Sequence, residues 1–307
     1  MAIYPSFQSL IEGLSDPGDE VIFQTPVHFI FADIVRSLKR VPVENPLKET
    51  DGTYKMDFED LKRKITPKTK LFLLCNPHNP VGRAWTADEL RALMEICIQH
   101  HILVISDEVY FGLVYPNKQY TPLASVSREA SLNSVTCISP SKSYNLTGIK
   151  HSLVITENTE IMEKYKAELH KNNEFFGESI FGHAAVTAAF GECDQWSREL
   201  MEYIEGNYQL VRSFMSQHIP QVRVFSPEAT YFLWMDFRFL GMSDEELTTF
   251  FEDDAQVEVS QGYSLGTGGS GFVRLNLATQ RSILSQGLER IRKAYERHIA
   301  ENRRTES

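Results

Sequence analysis

Long apolar runs and basic blocks are both absent from this sequence of 307 residues. No stretch approaches the roughly 18 consecutive apolar residues that a membrane-spanning helix needs, so we expect no membrane partner. The formal net charge is −10, and apart from Arg303-Arg304 no basic block stands out. Nucleic-acid binding is therefore disfavoured, because it needs a basic surface. The N-terminal segment has no basic stretch followed by an apolar one, which predicts no signal peptide and a cytoplasmic location.

Cysteine and histidine motifs are also missing. The four cysteines form no C-x-x-C pair, and the nine histidines include no H-E-x-x-H, so zinc hydrolysis has no support and we expect no metal site. Cys75, Cys97 and Cys137 lie within apolar runs, where we expect them to pack as small hydrophobic side chains.

What is present is an alternation of short apolar runs with helical patterns. With 42% hydrophobic residues the chain can bury a large core and form two domains. Alternation of this kind predicts an α/β fold with a mostly parallel sheet covered by helices. We expect a large domain over residues 1–193 and a smaller α+β domain over 194–307. The predicted strands of the large domain are Glu20–Gln24, an extended stretch near Val41–Val43, Lys70–Cys75, Ile102–Ser106, Ser134–Ile138 and Ser152–Thr156. Those of the small domain are Val222–Phe225, Tyr231–Asp236, Val257–Ser260 and Phe272–Leu277.

Polar residues follow three of the predicted strands. Asn79 comes after Lys70–Cys75, Asp107 after Ile102–Ser106, and Lys142 after Ser134–Ile138. Because ligands of open α/β sheets bind outside the carboxyl ends of the strands, we expect these groups to meet at one rim. An amine that can form a Schiff base and a carboxylate that can hold a pyridinium proton are parts that pyridoxal phosphate needs from a protein.

Four ordered motifs carry a resemblance to a known family. They are CNPHNPVGR (Cys75–Arg83), SDEVY (Ser106–Tyr110), SPSKSYNLTGIK (Ser139–Lys150) and GFVRLNLA (Gly271–Ala278). With them the sequence resembles the class I/II aminotransferase superfamily of fold type I pyridoxal-phosphate enzymes, from about residue 10 to the last helix. Within that superfamily it is most similar to the cystathionine β-lyase-like, or C–S lyase, branch.

The resemblance implies roles at the cofactor ring. Lys142 matches the lysine that forms the Schiff base and moves the Cα proton, and Asp107 matches the aspartate that pairs with the pyridine nitrogen. Asn79 and Tyr110 match the pair that hydrogen-bonds the ring oxygen, with Asn79 also facing the substrate and Tyr110 assisting catalysis. Many members of the lyase branch have His in place of Tyr110, and Tyr is commoner among aminotransferases.

It also implies the remaining binding groups. Ser139, Ser141 and Lys150 fall where the family binds the phosphate, His28 at a position that stacks on the ring, and Arg274 at the arginine that clamps the substrate α-carboxylate. Gly266–Gly271 satisfies G-x-G-x-x-G, but it precedes a strand rather than opening a helix. We interpret it as a loop near the substrate entrance.

The function expected from the resemblance is a pyridoxal 5'-phosphate-dependent C–S β-lyase that acts on a small amino-acid substrate and forms a homodimer. An aminotransferase using the same residues is the alternative. Family members begin upstream of Met1, and their first phosphate-binding loop would fall at or just before Ala2-Ile3-Tyr4. A truncated, non-catalytic relative is therefore the alternative from another class.

Overall fold

The computed structural model describes residues 3–172 and 179–305. The strands are β1 (Glu20–Thr25), β2 (Val41–Pro46), β3 (Lys48–Thr50), β4 (Thr53–Lys55), β5 (Thr69–Cys75), β6 (Leu103–Asp107), β7 (Ser134–Ile138), β8 (Leu153–Ile155), β9 (Arg223–Val224), β10 (Phe232–Asp236), β11 (Ser260–Gln261) and β12 (Phe272–Asn276). The helices are α1 (Ile3–Leu14), α2 (Ile30–Ser37), α3 (Phe58–Lys64), α4 (Ala87–Gln99), α5 (Arg128–Leu132), α6 (Pro140–Ser143), α7 (Thr159–Lys171), α8 (Ile180–Glu192), α9 (Asp194–His218), α10 (Asp244–Thr249) and α11 (Arg281–Thr305).

A six-stranded sheet in the order β2-β1-β5-β6-β7-β8 forms the larger layer. Its strands run parallel except β8, which is antiparallel to β7. Successive residues of one strand enter different cores: Leu71 and Leu73 pack on one face, and Phe72 and Leu74 on the other. Strands that are buried on both faces are almost continuously apolar, so their sequences can be recognised. The predicted α/β fold with a mostly parallel sheet is confirmed.

Helix α4 shows how local sequence sets an element boundary. The Thr86 hydroxyl accepts a hydrogen bond from the Glu89 backbone N–H at 3.2 Å, and the Glu89 carboxylate accepts one from the Thr86 N–H at 2.9 Å. Each residue satisfies a backbone donor of the other that the first turn leaves free. The helix then places Leu90, Leu93 and Cys97 in the core.

A second, antiparallel sheet in the order β11-β12-β10-β9 is built from residues after 222. Helices α9 and α11 share its core, which includes Val211, Leu233 and Leu288. The predicted strand Val257–Ser260 was wrong over most of its length, since only Ser260 lies in β11. The Val257 N–H donates to the Phe251 carbonyl at 2.8 Å, so this segment closes the preceding helical turn instead of pairing in the sheet.

Backbone hydrogen bonds join the two sheets close to the rim. The Thr230 N–H donates to the Leu113 carbonyl at 2.7 Å, and the Tyr115 N–H donates to the Glu228 carbonyl at 3.0 Å. Both contacts lie between the end of β6 and the start of β10, so they fix the second sheet over the carboxyl ends of the first. Within the part of the chain that the structure describes, no helix has the length and apolar character to cross a membrane.

Candidate active site

The three polar groups predicted to converge lie at or after the ends of adjacent strands. β5, β6 and β7 are neighbours in the sheet, and Asp107 at the end of β6 is in register with Cys75 on one side and Cys137 on the other. Its carboxylate accepts a hydrogen bond from the Val109 N–H at 3.2 Å. Both cysteines are buried and free, as predicted, so Asp107 is flanked by small side chains at the rim.

Burial dominates the electrostatics of Asp107. The side chain is almost inaccessible, and burial raises the pKa of its carboxyl to about 7, with the neighbouring Glu108 carboxylate adding to the rise. Lys142 acts in the opposite direction as a nearby positive charge. Burial disfavours the ionised form of this carboxyl. A cationic partner next to it would therefore stabilise the carboxylate and lower its pKa.

Glu108 was missed by the sequence reasoning. It is fully buried, and its carboxylate accepts hydrogen bonds from Ser106 Oγ at 2.7 Å, from the Leu123 N–H at 3.1 Å and from the Tyr120 hydroxyl. Burial raises its pKa. A charged residue directly after an apolar strand was the available signal, and its structural role is to anchor the segment that follows the rim.

Lys142 lies in α6, directly after β7. It is partly buried and lines a cavity of about 600 Å³ between α6, α9 and the end of β12, together with Ser141 and Tyr231. Ser139 caps α6: its hydroxyl accepts from the Ser141 N–H at 3.2 Å and donates to the His151 carbonyl at 2.5 Å. The cap fixes the turn that presents Lys142 to the cavity.

Arg274 on β12 reaches across to the rim. Its guanidinium donates to Asn79 Oδ1 at 2.8 Å and to Ser260 Oγ at 2.8 Å, and it lies 4.0 Å from the centre of the Phe232 ring. Its Nε is buried and has no hydrogen-bond partner among the described residues. A guanidinium that is mostly buried and only partly hydrogen-bonded suits an incoming carboxylate, because its planar fork matches two oxygens.

Tyr110 connects this arginine to the cavity. Asn79 Nδ2 donates to the Tyr110 hydroxyl at 3.5 Å, and the Tyr110 ring packs edge-on against Tyr231 with centroids 5.8 Å apart. Tyr231 lines the cavity that contains Lys142. Burial raises the Tyr110 pKa well above its ordinary value, so its hydroxyl stays protonated at neutral pH.

Of the other predicted cofactor-binding residues, His28 is largely buried and Lys150 is exposed. His28 follows β1, its Nδ1 accepts a weak bond from the Ile30 N–H at 3.4 Å, and burial lowers its pKa to about 4, so the ring is neutral. Lys150 is exposed at the end of a short 3-10 turn, with a left-handed backbone conformation. Of the segment expected near the first phosphate-binding loop, Ile3 and Tyr4 begin α1, whereas Ala2 lies outside the described residues.

The donor set fits pyridoxal phosphate. A lysine amine, a buried carboxyl with a raised pKa and a tyrosine hydroxyl at one rim match the three demands of the cofactor ring. The cavity of about 600 Å³ is lined by Lys142 and Ser141 but not by Asp107, Asn79 or Tyr110, so it adjoins these ring-binding groups and does not enclose them. Among the described residues, no group of three or more His, Cys, Asp or Glu side chains is placed to hold a metal ion.

Fold and site together define the pyridoxal-phosphate-dependent transferase class of α/β proteins. The chain belongs to the family described as aminotransferase class I and II, whose family model matches residues 6–291. The resemblance that the four motifs carried is therefore confirmed.

Individual relatives point in the same direction. The chain is 38% identical over 285 residues to cystathionine beta-lyase PatB of Bacillus subtilis (strain 168), which covers 92% of this chain and 73% of that protein. It is 30% identical over 281 residues to Protein MalY of Escherichia coli (strain K12), covering 91% and 71%. Among solved structures, cystalysin from Treponema denticola, which contains a pyridoxal 5'-phosphate cofactor, matches with a TM-score of 0.93 and 32% identity over 96% of this chain and 75% of that one.

Proposed function

We propose that this protein is a pyridoxal 5'-phosphate-dependent C–S β-lyase that acts on a small amino-acid thioether such as cystathionine. The observation that carries the proposal is the meeting of Lys142, Asp107 and Arg274 at one rim of the parallel sheet. The similarity to cystathionine beta-lyase PatB supports a lyase over other reactions of the family.

The cofactor is held by residues already described. The Lys142 amine would hold it covalently and the Asp107 carboxylate would pair with its ring nitrogen. Asn79 and Tyr110 would hydrogen-bond its ring oxygen, and His28 would stack on the ring. Ser139, Ser141 and Lys150 would bind its phosphate. When bound, pyridoxal phosphate supplies an electron sink for the electron pair left on the substrate Cα.

Arg274 orients the substrate by its α-carboxylate. The carboxylate takes over the guanidinium donors that Asn79 and Ser260 occupy in the absence of substrate, and it pairs with the buried Nε. This pairing would turn the Cα–H bond toward Lys142, which lines the neighbouring cavity.

Once the substrate amine has displaced Lys142 from the cofactor, the freed Nζ would accept the Cα proton. The Cβ–S bond would then break, and sulfur would leave with the bonding pair and take that proton to become a thiol. The remaining fragment would react with one water to give pyruvate and ammonia. Proton transfer by a positioned side chain contributes roughly 10²–10⁴-fold to rate. Tyr110 keeps its proton, because burial raises its pKa, and so remains a hydrogen-bond donor throughout.

An aminotransferase is the second candidate, favoured by the buried tyrosine at position 110. The chain is 29% identical over 300 residues to an aspartate aminotransferase of Geobacillus stearothermophilus. The two reactions differ in whether the proton taken from Cα is followed by loss of a Cβ substituent or by transfer of the amino group to a keto acid.

A pyruvate assay on cystathionine separates them. Purified protein with added pyridoxal phosphate is expected to release pyruvate and free thiol linearly without any keto acid. A strict requirement for a keto acid would instead establish the transferase. Lys142→Arg serves as the control, since it keeps the charge but cannot perform the same proton transfer.

The proposal also includes a cytoplasmic location and two domains, over residues 1–193 and 194–307.

A homodimer is the last part of the proposal. Helix α8 supports self-association, because its apolar residues Ile180 and Phe181 are 85% and 79% exposed. Sedimentation velocity across a concentration series is expected to give a dimer that Phe181→Asp weakens, and cell fractionation tests the location. A monomer at every concentration would contradict the assembly.

A further inference from the structure

A smaller pocket opens beside the rim, between the end of β1, helix α2 and the segment before β12. Its volume is about 190 Å³, and its lining includes Thr25, His28, Asp33, Arg36, Glu44 and Tyr263. We call it the β1–α2 pocket. It is smaller than the roughly 300–1,000 Å³ of complete small-molecule sites, so it suits one end of a substrate rather than a whole molecule.

His28 connects this pocket to the reacting groups. It lines the pocket, and after burial the largest influences on its charge state are the nearby positive charges of Arg274 and Lys142. His28 therefore borders both this pocket and the charged side chains assigned to the reaction. The exposed rings of Phe29 and Tyr263 are also among its lining residues.

The pocket contains charged side chains of both signs that make few other interactions. Arg36 and Asp33 lie 3.6 Å apart on α2 with side chains 59% and 60% exposed, an arrangement that contributes little to stability. One oxygen of Glu44 accepts from the Thr267 N–H at 3.1 Å. The hydroxyl of Thr25, which is 1% exposed, has no hydrogen-bond partner among the described residues.

We propose that the β1–α2 pocket binds a zwitterionic amino-acid head group at the far end of the substrate, on the thiol that leaves. Arg36 pairs with the distal carboxylate, and Asp33 and Glu44 receive the distal ammonium. The pocket therefore selects thioethers with an amino acid at both ends over S-alkyl cysteines. This inference rests on the proposed lyase function and names its substrate class.

The chemistry of the walls explains the direction of selection. An apolar leaving group in this pocket would desolvate Arg36, Asp33 and Glu44 without replacing the water they lose, which is unfavourable. A zwitterion presents both charges at once and leaves the net charge of the pocket unchanged. Opposite charges in a partly enclosed space also reject wrong partners more strongly than they add affinity.

Paired substrates test the proposal in the cofactor-loaded protein. Values of kcat/KM for cystathionine and for S-methyl-L-cysteine are compared in wild type, Arg36→Ala and the double variant Asp33→Asn/Glu44→Gln. Arg91→Ala is the matched control, because Arg91 forms the same i,i+3 ion pair with Asp88 on helix α4, away from the pocket. Each pocket variant is expected to lower kcat/KM for cystathionine about 5-fold through KM, the scale of one exposed charge pair. Turnover of S-methyl-L-cysteine is expected to stay within 2-fold, which is about the error of such comparisons.

A binding measurement separates failure of the pocket from failure of the lyase. Titration calorimetry on Lys142→Ala, supplied with pyridoxal phosphate, gives dissociation constants for both compounds with and without Arg36→Ala. Arg36-dependent binding of cystathionine alone supports the pocket even if the wild type releases no pyruvate, a result that would remove only the proposed function. Equal losses for the two compounds, or no loss for cystathionine, overturn the pocket.

Discussion

The rim around Asp107 and the β1–α2 pocket lie side by side, yet they use polar groups in opposite ways. Asp107, Tyr110 and Arg274 are buried or mostly buried, and their pKa values are shifted by desolvation. Asp33 and Arg36 of the pocket keep most of their side-chain surface in water. Buried groups acquire unusual chemistry at a cost in stability, whereas exposed groups offer only their charge.

This difference predicts where substitutions act. At the rim a side chain is coupled to its neighbours through low-dielectric surroundings, so its removal disturbs function strongly. At the pocket each charge is screened, and its removal affects only the ligand it would meet. The predictions below test this contrast, beginning with the largest effect.

Lys142→Ala is expected to give the largest loss. Removing the amine takes away both the covalent attachment and the group that moves the Cα proton, so pyruvate release should fall by roughly 10²–10⁴-fold. An absorbance band near the visible edge in protein mixed with pyridoxal phosphate should appear in wild type and disappear in the variant. A band that persists without Lys142 would show that another amine holds the cofactor.

Arg274→Lys is expected to weaken substrate binding by about 2–4 kcal/mol, or roughly 30- to 1,000-fold in KM, because the two-oxygen fork is lost while the charge remains. Steady-state kinetics measure the effect, and the Lys142-dependent band should be unchanged, since Arg274 is assigned to the substrate. A loss in kcat with KM unaltered would contradict that assignment.

Asp107→Asn tests the pH dependence of stability in protein without added cofactor. Burial raises the pKa of the folded-state carboxyl to about 7, above its ordinary value of 3.8. Between these values the folded state holds a proton that the unfolded state has released, so wild-type stability should fall relative to the variant as pH rises from about 4 to 7. Above about pH 7 the difference should level off at a few kcal/mol.

Urea unfolding at half-unit steps of pH measures this difference. The substitution Asp253→Asn, at an exposed aspartate, is the control and should track wild type. A stability difference between wild type and Asp107→Asn that does not vary with pH would mean that Asp107 is ionised in the folded protein throughout.

The smallest effect is expected from Arg36→Ala, with less than about 0.5 kcal/mol lost from the free energy of unfolding. Arg83→Ala is the buried counterpart: its guanidinium forms ion pairs with Glu89 at 2.9 Å and Glu228 at 2.7 Å, and its loss should cost up to about 3 kcal/mol. Thermal and urea unfolding of both variants measure the contrast. Equal losses would refute the division between buried and exposed charges.

Much of the rim could be inferred from sequence, because its residues follow strands whose apolar patterns are local. The ends of β5, β6 and β7 placed Asn79, Asp107 and Lys142 correctly at one edge. The start of α4 was likewise predicted from the Thr86–Glu89 capping box. The roles assigned to these residues stay predictions that the experiments above decide.

Other features depended on contacts between distant segments. Ser260 hydrogen-bonds to Arg274 only because β11 and β12 pair. The segment 257–259 has a strand-like sequence pattern, but it forms no strand because the Val257 N–H donates to the Phe251 carbonyl. The β1–α2 pocket brings Thr25, Glu44 and Tyr263 together from three separate parts of the chain. Sequence alone determined most strands of the larger sheet, the polar residues that follow them and the family, because apolar periodicity and each motif are local. Tertiary packing alone decided which carboxyl is buried enough to shift its pKa and which charges share a pocket, because desolvation and Coulomb energy depend on distances that no local pattern records.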